Sequence, residues 1–168
     1  MRKVKSLMKV LFVTVLCFGA TTLSAQTVQT QTIEPTNNYR LGGGLLIDMG
    51  DGATLVGPHV KYFFTNQHAG EGAVLFGNGV TYLQALYNYN MGIADVPGLG
   101  WYVGAGPSIG FSSGSTAFNI IGAVGMEYKI AGAPIALSFD WRPRFFIVDS
   151  YTDFVAARFG LGLRYTFN

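Results

Sequence analysis

His59 and His68 are the residues of this chain best suited to proton transfer, and Cys17 is its one thiol. An imidazole beside a serine or aspartate could serve acyl transfer, with histidine as the base and a hydroxyl as the nucleophile. His59 shares a strand face with Lys61, however, and His68 stands in a polar stretch with Asn66, Gln67 and Glu71 that reads as a turn between strands. Neither has a nucleophile at motif spacing. Two histidines nine residues apart with no cysteine near them also lack the spacing of a metal-ligand set. No catalytic residue, metal site or cofactor is expected.

Ionic chemistry is better represented. Arg40, Lys61, Glu127, Lys129, Asp140, Arg142, Arg144, Arg158 and Arg164 all fall on the small or polar side of alternating segments, with Glu71 nearby. Such a set could line a pore, since rings of basic residues select anions. It could equally be a network of paired charges filling a narrow interior, where an unpaired ion would carry a large desolvation cost. The second arrangement is the expectation.

Positioning these residues requires strands. From Tyr39 onward there is no helix-length apolar run, and hydrophobic residues recur with period two. In Leu99 to Ser112, Leu99, Trp101, Val103, Ala105, Pro107, Ile109 and Phe111 share one face, against Gly100, Tyr102, Gly104, Gly106, Ser108, Gly110 and Ser112 on the other. The pattern repeats over Phe118 to Ile130, Ile135 to Ile147, and Val155 to Phe167, where Val155 and Phe159 are placed on the same apolar face. Tyr39 to Asp48, Ala53 to Phe64, Gly72 to Gly77 and Val80 to Asn90 supply four more segments between Gly, Asn and Asp turn signals. About eight strands result, and Gly72 to Gly77 could instead fuse across Asn78 into the next. The expected fold is all-β, a closed antiparallel up-and-down transmembrane β-barrel.

Alternation alone does not say which face is inside. An eight-stranded barrel is only just wide enough for side chains to fill it, and the apolar faces, with several Leu, Ile, Phe, Tyr or Trp per strand, would overfill it. The glycine, serine and charged faces fit. The composition agrees: 49% hydrophobic and 12% charged residues with 23 glycines suit a chain whose outer solvent is not water. Tyr87, Tyr89, Trp101, Tyr128, Trp141, Tyr165 and Phe167 are expected on the greasy faces as a lipid-interface girdle. Pro58, Pro107 and Pro143 each remove a ladder hydrogen bond and are expected at bulges or rims.

The N-terminus reads as a cleaved export signal over 1–25: Arg2, Lys3, Lys5 and Lys9 precede the apolar run Val10 to Ala20, and Leu23-Ser24-Ala25 forms the cleavage region. Residues 26–38 are polar and read as a flexible lead-in, leaving 39–168 for the barrel. Without the signal, seven basic residues face nine acidic ones, and no cysteine remains. The scattered basic residues argue against a nucleic-acid partner. The outer-side connections Met49 to Gly52, Asn78-Gly79, Ser112 to Thr116 and Val148 to Asp153 are short, which leaves little surface for adhesion.

Three stretches carry a resemblance: Val60-Lys61-Tyr62-Phe63, the run from Gly98 to Pro107 (GLGWYVGAGP), and the run from Pro134 to Pro143 (PIALSFDWRP). With them, most of Tyr39 to Asn168 resembles small outer-membrane β-barrel proteins of the Bacteroidetes type, eight-stranded barrels of the OmpA and OmpX kind. The ending Arg164-Tyr165-Thr166-Phe167 is similar to the C-terminal signal read by barrel-assembly machinery, although Asn168 follows the aromatic residue that normally comes last. The resemblance implies the outer membrane of a Gram-negative bacterium as location, its lipid and the assembly machinery as partners, and a structural or accessory role, with a larger membrane complex as a further partner. The alternatives are a small ion- or solute-conducting pore and, less favoured, a lipid A-modifying acyl enzyme similar to the palmitoyltransferase or deacylase barrels.

Overall fold

The computed structural model describes residues 39–148 and 151–167. The expected signal peptide over 1–25 and the lead-in over 26–38 lie outside the described residues. Ten hydrogen-bonded segments follow one another: β1 (Leu41–Gly50), β2 (Ala53–Phe63), β3 (His68–Gly77), β4 (Val80–Gly92), β5 (Leu99–Ser112), β6 (Ser115–Lys129), β7 (Ile135–Trp141), β8 (Arg144–Val148), β9 (Tyr151–Val155) and β10 (Arg158–Phe167). All pairings are antiparallel, and β1 pairs with both β2 and β10, so the sheet closes on itself.

The ten segments make eight staves. β7 and β8 continue one another along β6 in a single register, with Val124↔Trp141 before the interruption and Ile121↔Arg144 after it. β9 and β10 run beside them as one further stave, with a one-residue shift of register between them. The protein is an all-β, closed, antiparallel eight-stranded barrel.

Backbone chemistry explains one rim. Asp51-Gly52 and Asn78-Gly79 both have positive φ at both residues (50° and 70°, 51° and 70°), the conformation that two-residue hairpins require. Asn78 therefore ends β3 rather than joining it to β4. Ser113-Gly114 closes β5 onto β6 equally tightly, since Ser112 pairs with Ser115. Most residues of the expected outer connections thus belong to strands, and residues 149–150 lie outside the described residues. At the opposite rim the connections 64–67, 93–98 and 130–134 are longer. His68 is not in a turn: it opens β3 and pairs with Tyr89, and Thr65 Oγ1 accepts the backbone N–H of His68 at 3.1 Å to tighten the bend before it.

The prolines behave otherwise than expected. Pro58 and Pro107 lie in mid-strand on the outward face, each preceded by an inward glycine. The β2–β3 ladder breaks between Val56↔Phe76 and His59↔Ala73, and the β4–β5 ladder between Gln84↔Ser108 and Tyr87↔Ala105, with no change of register. The missing N–H of proline interrupts one ladder while the ladder on the strand's other side continues through Leu45↔Pro58 and Pro107↔Ile120. Pro143 separates β7 from β8, yet its carbonyl still accepts the Gly122 N–H at 2.9 Å.

The bulge is on the opposite stave. Between Trp141↔Phe159 and Arg144↔Val155, two residues on one side face three on the other, so Ala156–Arg158 carry one extra residue. An extra residue reverses the in–out phase. Phe154, at 48% exposure, therefore takes the outward place expected of Val155, which is half-buried.

Candidate functional site

The interior is ionic. The largest fully buried side chains include Arg142, Arg144, Arg164 and Lys61, whereas Leu163, Leu45, Phe139 and Tyr165 are each more than half exposed on the outer wall. Inward glycines make room for the long side chains. A Cβ on Gly160 would lie 2.5 Å from Asp140 Oδ1 and 2.6 Å from Arg142 Nε, and one on Gly162 would lie 2.3 Å from Ser138 Oγ.

The central cluster joins β2, β3, β6, β7 and β10. Lys61 Nζ donates to Glu127 Oε2 at 3.0 Å and to Asn90 Oδ1 at 2.8 Å, and it stands 4.5 Å from the centre of the Tyr102 ring. Arg164 Nη2 donates to the same Glu127 carboxylate, whose other oxygen accepts Tyr39 Oη–H at 2.7 Å. Arg142 clasps Asp140 through Nε at 2.5 Å and Nη2 at 3.2 Å, and reaches Glu71 Oε2 at 3.4 Å. Tyr102 also donates to Asp140. Glu71 is the hub between the two halves, with His59 Nε2 at 3.6 Å, Arg164 Nη1 at 3.8 Å and Lys61 Nζ at 4.0 Å. Three cations face three carboxylates, so with a neutral His59 the cluster balances.

A second, smaller cluster lies toward the tight-turn rim, beside the apolar group Leu46, Leu55, Ala73 and Leu75. There Asp48 of β1 receives Arg144 Nη2 on one oxygen and Arg158 Nε, at 2.9 Å, on the other. Arg158 also donates to the carbonyls of Gly50 at 2.8 Å and Asp48 at 3.2 Å. Arg144 lies 4.5 Å from the centre of the Tyr82 ring.

Lys61, Glu127, Asp140, Arg142, Arg144, Arg158 and Arg164 are thus in the lumen, and Arg40 and Lys129 are not in its network. Arg40 precedes β1, where the alternation no longer applies: Tyr39 turns into the lumen, and Arg40 is exposed with its guanidinium 5.9 Å from the Tyr62 ring. Lys129 ends β6 half-buried and donates to the carbonyls of Ile130 at 3.1 Å and Ala133 at 2.6 Å, capping the following turn. Asp48 was missed because it stands two residues before Gly50 and reads as the start of a turn; its parity with buried Leu46 is the signal that places it inward. Tyr102 was placed on the small and polar face but not as a carboxylate partner, and Tyr39 was read only as the start of a segment, because a tyrosine hydroxyl carries no charge for the pattern to register.

The chemistry of the two histidines is occupied. His59 is buried, with Arg164 Nη1 3.2 Å from its Nδ1. His68 Nδ1 is hydrogen-bonded to Tyr87 Oη, and its ring packs on Tyr87 and Tyr89. Among the described residues, no three His, Cys, Asp or Glu side chains are gathered as a metal-binding group. Beside the charges, Gln84, Ser108 and Asn119 form a row across β4, β5 and β6, with Asn88 further along β4; the polar side-chain atoms of all four are buried without a hydrogen-bond partner among the described residues.

The expected girdle residues all face outward, but they gather at one rim. Tyr87, Tyr89, Trp101, Tyr128, Tyr165 and Phe167 sit near the strand ends opposite the tight turns, whereas Phe76, Phe111 and Phe118 mark the tight-turn side. Trp141 is the exception. It lies in the middle of the β7–β8 stave, and its Nε1 donates to the Ala156 carbonyl at the bulge.

No protein-family model matches the chain and no curated protein matches it. A solved structure described as "De novo design of transmembrane beta-barrels" is similar over 77% of this chain and 95% of its own, at 14% identity and a TM-score of 0.55. At that identity the likeness concerns the barrel fold.

Proposed function

We propose that this chain is an integral outer-membrane β-barrel, exported through a cleaved signal peptide, with a structural or accessory role and no catalytic activity. One observation carries the reading: the barrel is inside-out for water, with arginines and carboxylates buried in its lumen and a continuous wall of Leu, Val, Ile and Phe outside. A soluble monomer rarely presents an apolar patch beyond a few hundred Å², whereas this wall runs round every stave. The similar solved structure is itself described as a transmembrane barrel. The partners that suit this wall are outer-membrane lipid, barrel-assembly machinery during insertion, and a larger membrane complex packed against the wall. No nucleic-acid partner is proposed.

The expected result is recovery in the outer-membrane fraction and a gel mobility that changes on boiling. A soluble product stable without detergent would overturn the reading. Val124 offers a finer measurement, because it lies at the centre of β6 and pairs with Val103 and Trp141. Val124→Arg should cost roughly 2–4 kcal/mol of folding free energy in lipid bilayers. An unchanged unfolding midpoint would count against a lipid-facing wall.

For the absence of catalysis, the support is that His59 is held by Arg164 and Glu71 and His68 by the phenol of Tyr87, with no serine or threonine hydroxyl bonded to either ring among the described residues. Replacing either histidine should leave lipid A acylation unchanged. A second reading, a narrow pore, is favoured by the uncharged row Gln84, Ser108 and Asn119, whose polar side-chain atoms have no hydrogen-bond partner among the described residues. It predicts unitary conductance steps in planar bilayers, and silent bilayers would remove it.

A further inference from the structure

The two ionic clusters differ in charge balance. Five cations are buried in the barrel (Lys61, Arg142, Arg144, Arg158, Arg164) against four carboxylates (Asp48, Glu71, Glu127, Asp140). The central cluster takes three of each, which among the described residues leaves Asp48 alone against Arg144 and Arg158. Among the described residues, the excess positive charge therefore sits at the tight-turn end.

The two arginines are not equally satisfied. Arg158 has an acceptor for each of its nitrogens: Asp48 Oδ1, the Gly50 carbonyl and the Asp48 carbonyl. Arg144 gives Nη2 to Asp48, but its Nε is buried with no acceptor among the described residues, although the whole residue is only 1% exposed. The Tyr82 ring covers part of the guanidinium without accepting that N–H. Asp51 and Asp153, the other described acids toward this rim, are exposed to solvent. A buried guanidinium with an unused donor, whose one carboxylate among the described residues is shared with a second arginine, is costly, and the group that relieves both costs is an anion accepting from Nε.

The geometry points to a luminal site at Arg144, beside the Asp48–Arg158 pair, for one small monovalent inorganic anion of halide size. The chemistry selects the class. The local excess is a single positive charge, so a doubly charged phosphate would overcompensate, and the site has one free buried donor rather than the fork that carboxylates and phosphates take. The site requires only the folded barrel, whatever the role of that barrel in the cell.

The test uses the full mature chain folded in zwitterionic micelles, with bromide and chloride as probes. At equal ionic strength, saturating chloride should raise the unfolding midpoint by roughly 5 °C over gluconate, a much larger monovalent anion. Bromide NMR lines should broaden in the presence of the protein. Crystals grown in bromide should place an anomalous peak within hydrogen-bond reach of Arg144 Nε. Arg144→Gln should abolish the chloride response, whereas Lys129→Gln, which removes a rim cation, should keep it. Equal midpoints in chloride and gluconate, or bromide lines no broader than with Arg144→Gln, would overturn the site. Where Arg144→Gln does not fold, the chloride–gluconate comparison on the unmodified protein decides alone.

Discussion

Replacing Glu127 by leucine is expected to destabilise the barrel by about 3–5 kcal/mol, the cost of leaving buried charges without their partner. Glu127 accepts from Lys61, Arg164 and Tyr39, which come from three different parts of the chain. Without it, Lys61 and Arg164 retain, among the described residues, only Glu71 as a carboxylate partner, at 4.0 Å and 3.8 Å. Neither can turn to water from inside the wall. The measurement is the urea midpoint of the micelle-folded protein, read from the fraction that shows barrel mobility on unboiled gels. Lys61→Met combined with Glu127→Leu should recover part of the loss, because the pair then leaves together and one cation fewer is stranded. A single-variant cost below about 1 kcal/mol would show that water reaches the network.

Gly57→Ala is expected to prevent barrel closure outright. A Cβ on Gly57 would stand 1.8 Å from the Val74 carbonyl oxygen and 3.1 Å from Leu75 Cα, and both are backbone atoms of the neighbouring strand. The same arrangement recurs at Gly106, where a Cβ would meet the Ala85 carbonyl oxygen at 1.9 Å. Both glycines precede a proline, and both lie where one ladder is interrupted. Each Gly-Pro pair lets two strands approach more closely than any side chain permits, with glycine beneath the neighbouring carbonyl and proline on the outside. Loss of well over about 4 kcal/mol is expected for either alanine variant, enough to abolish the heat-modifiable band. Gly43→Ala is the control. It faces outward with nothing within 4 Å of its added carbon, and should shift stability by no more than about 0.5 kcal/mol. A normal gel shift for Gly57→Ala would show that closure does not depend on this close approach.

The fold was legible because period-two alternation is a local signal and volume limits what a narrow barrel can hold. The residues between Leu99 and Ser112 establish their strand and their two faces without reference to any other part of the chain. Most of the ionic lining was legible for the same reason, since Asp140, Arg142 and Arg144 hold one parity, and Arg158 and Arg164 hold one in their own segment. The failures fall where alternation stops. Arg40 lies before the first strand, Lys129 at the end of one, and Phe154 beyond a bulge that reverses the phase. A bulge is defined by two strands together, and neither sequence alone contains it.

The sequence by itself therefore determined the strand segments, the barrel class and the parity that sends most charges to one face, because each follows from the spacing of neighbouring residues and from volume. It also contained the Gly-Pro pairs, but as apparent rim or bulge markers. Only the tertiary structure decided which carboxylate meets which cation. Glu71 and Arg142 are far apart in the chain and become partners only when closure brings β3 and β7 across the lumen from each other. Among the described residues, the same closure divides the charges into a balanced centre and an unbalanced pair around Asp48, a distinction that no spacing along the chain encodes.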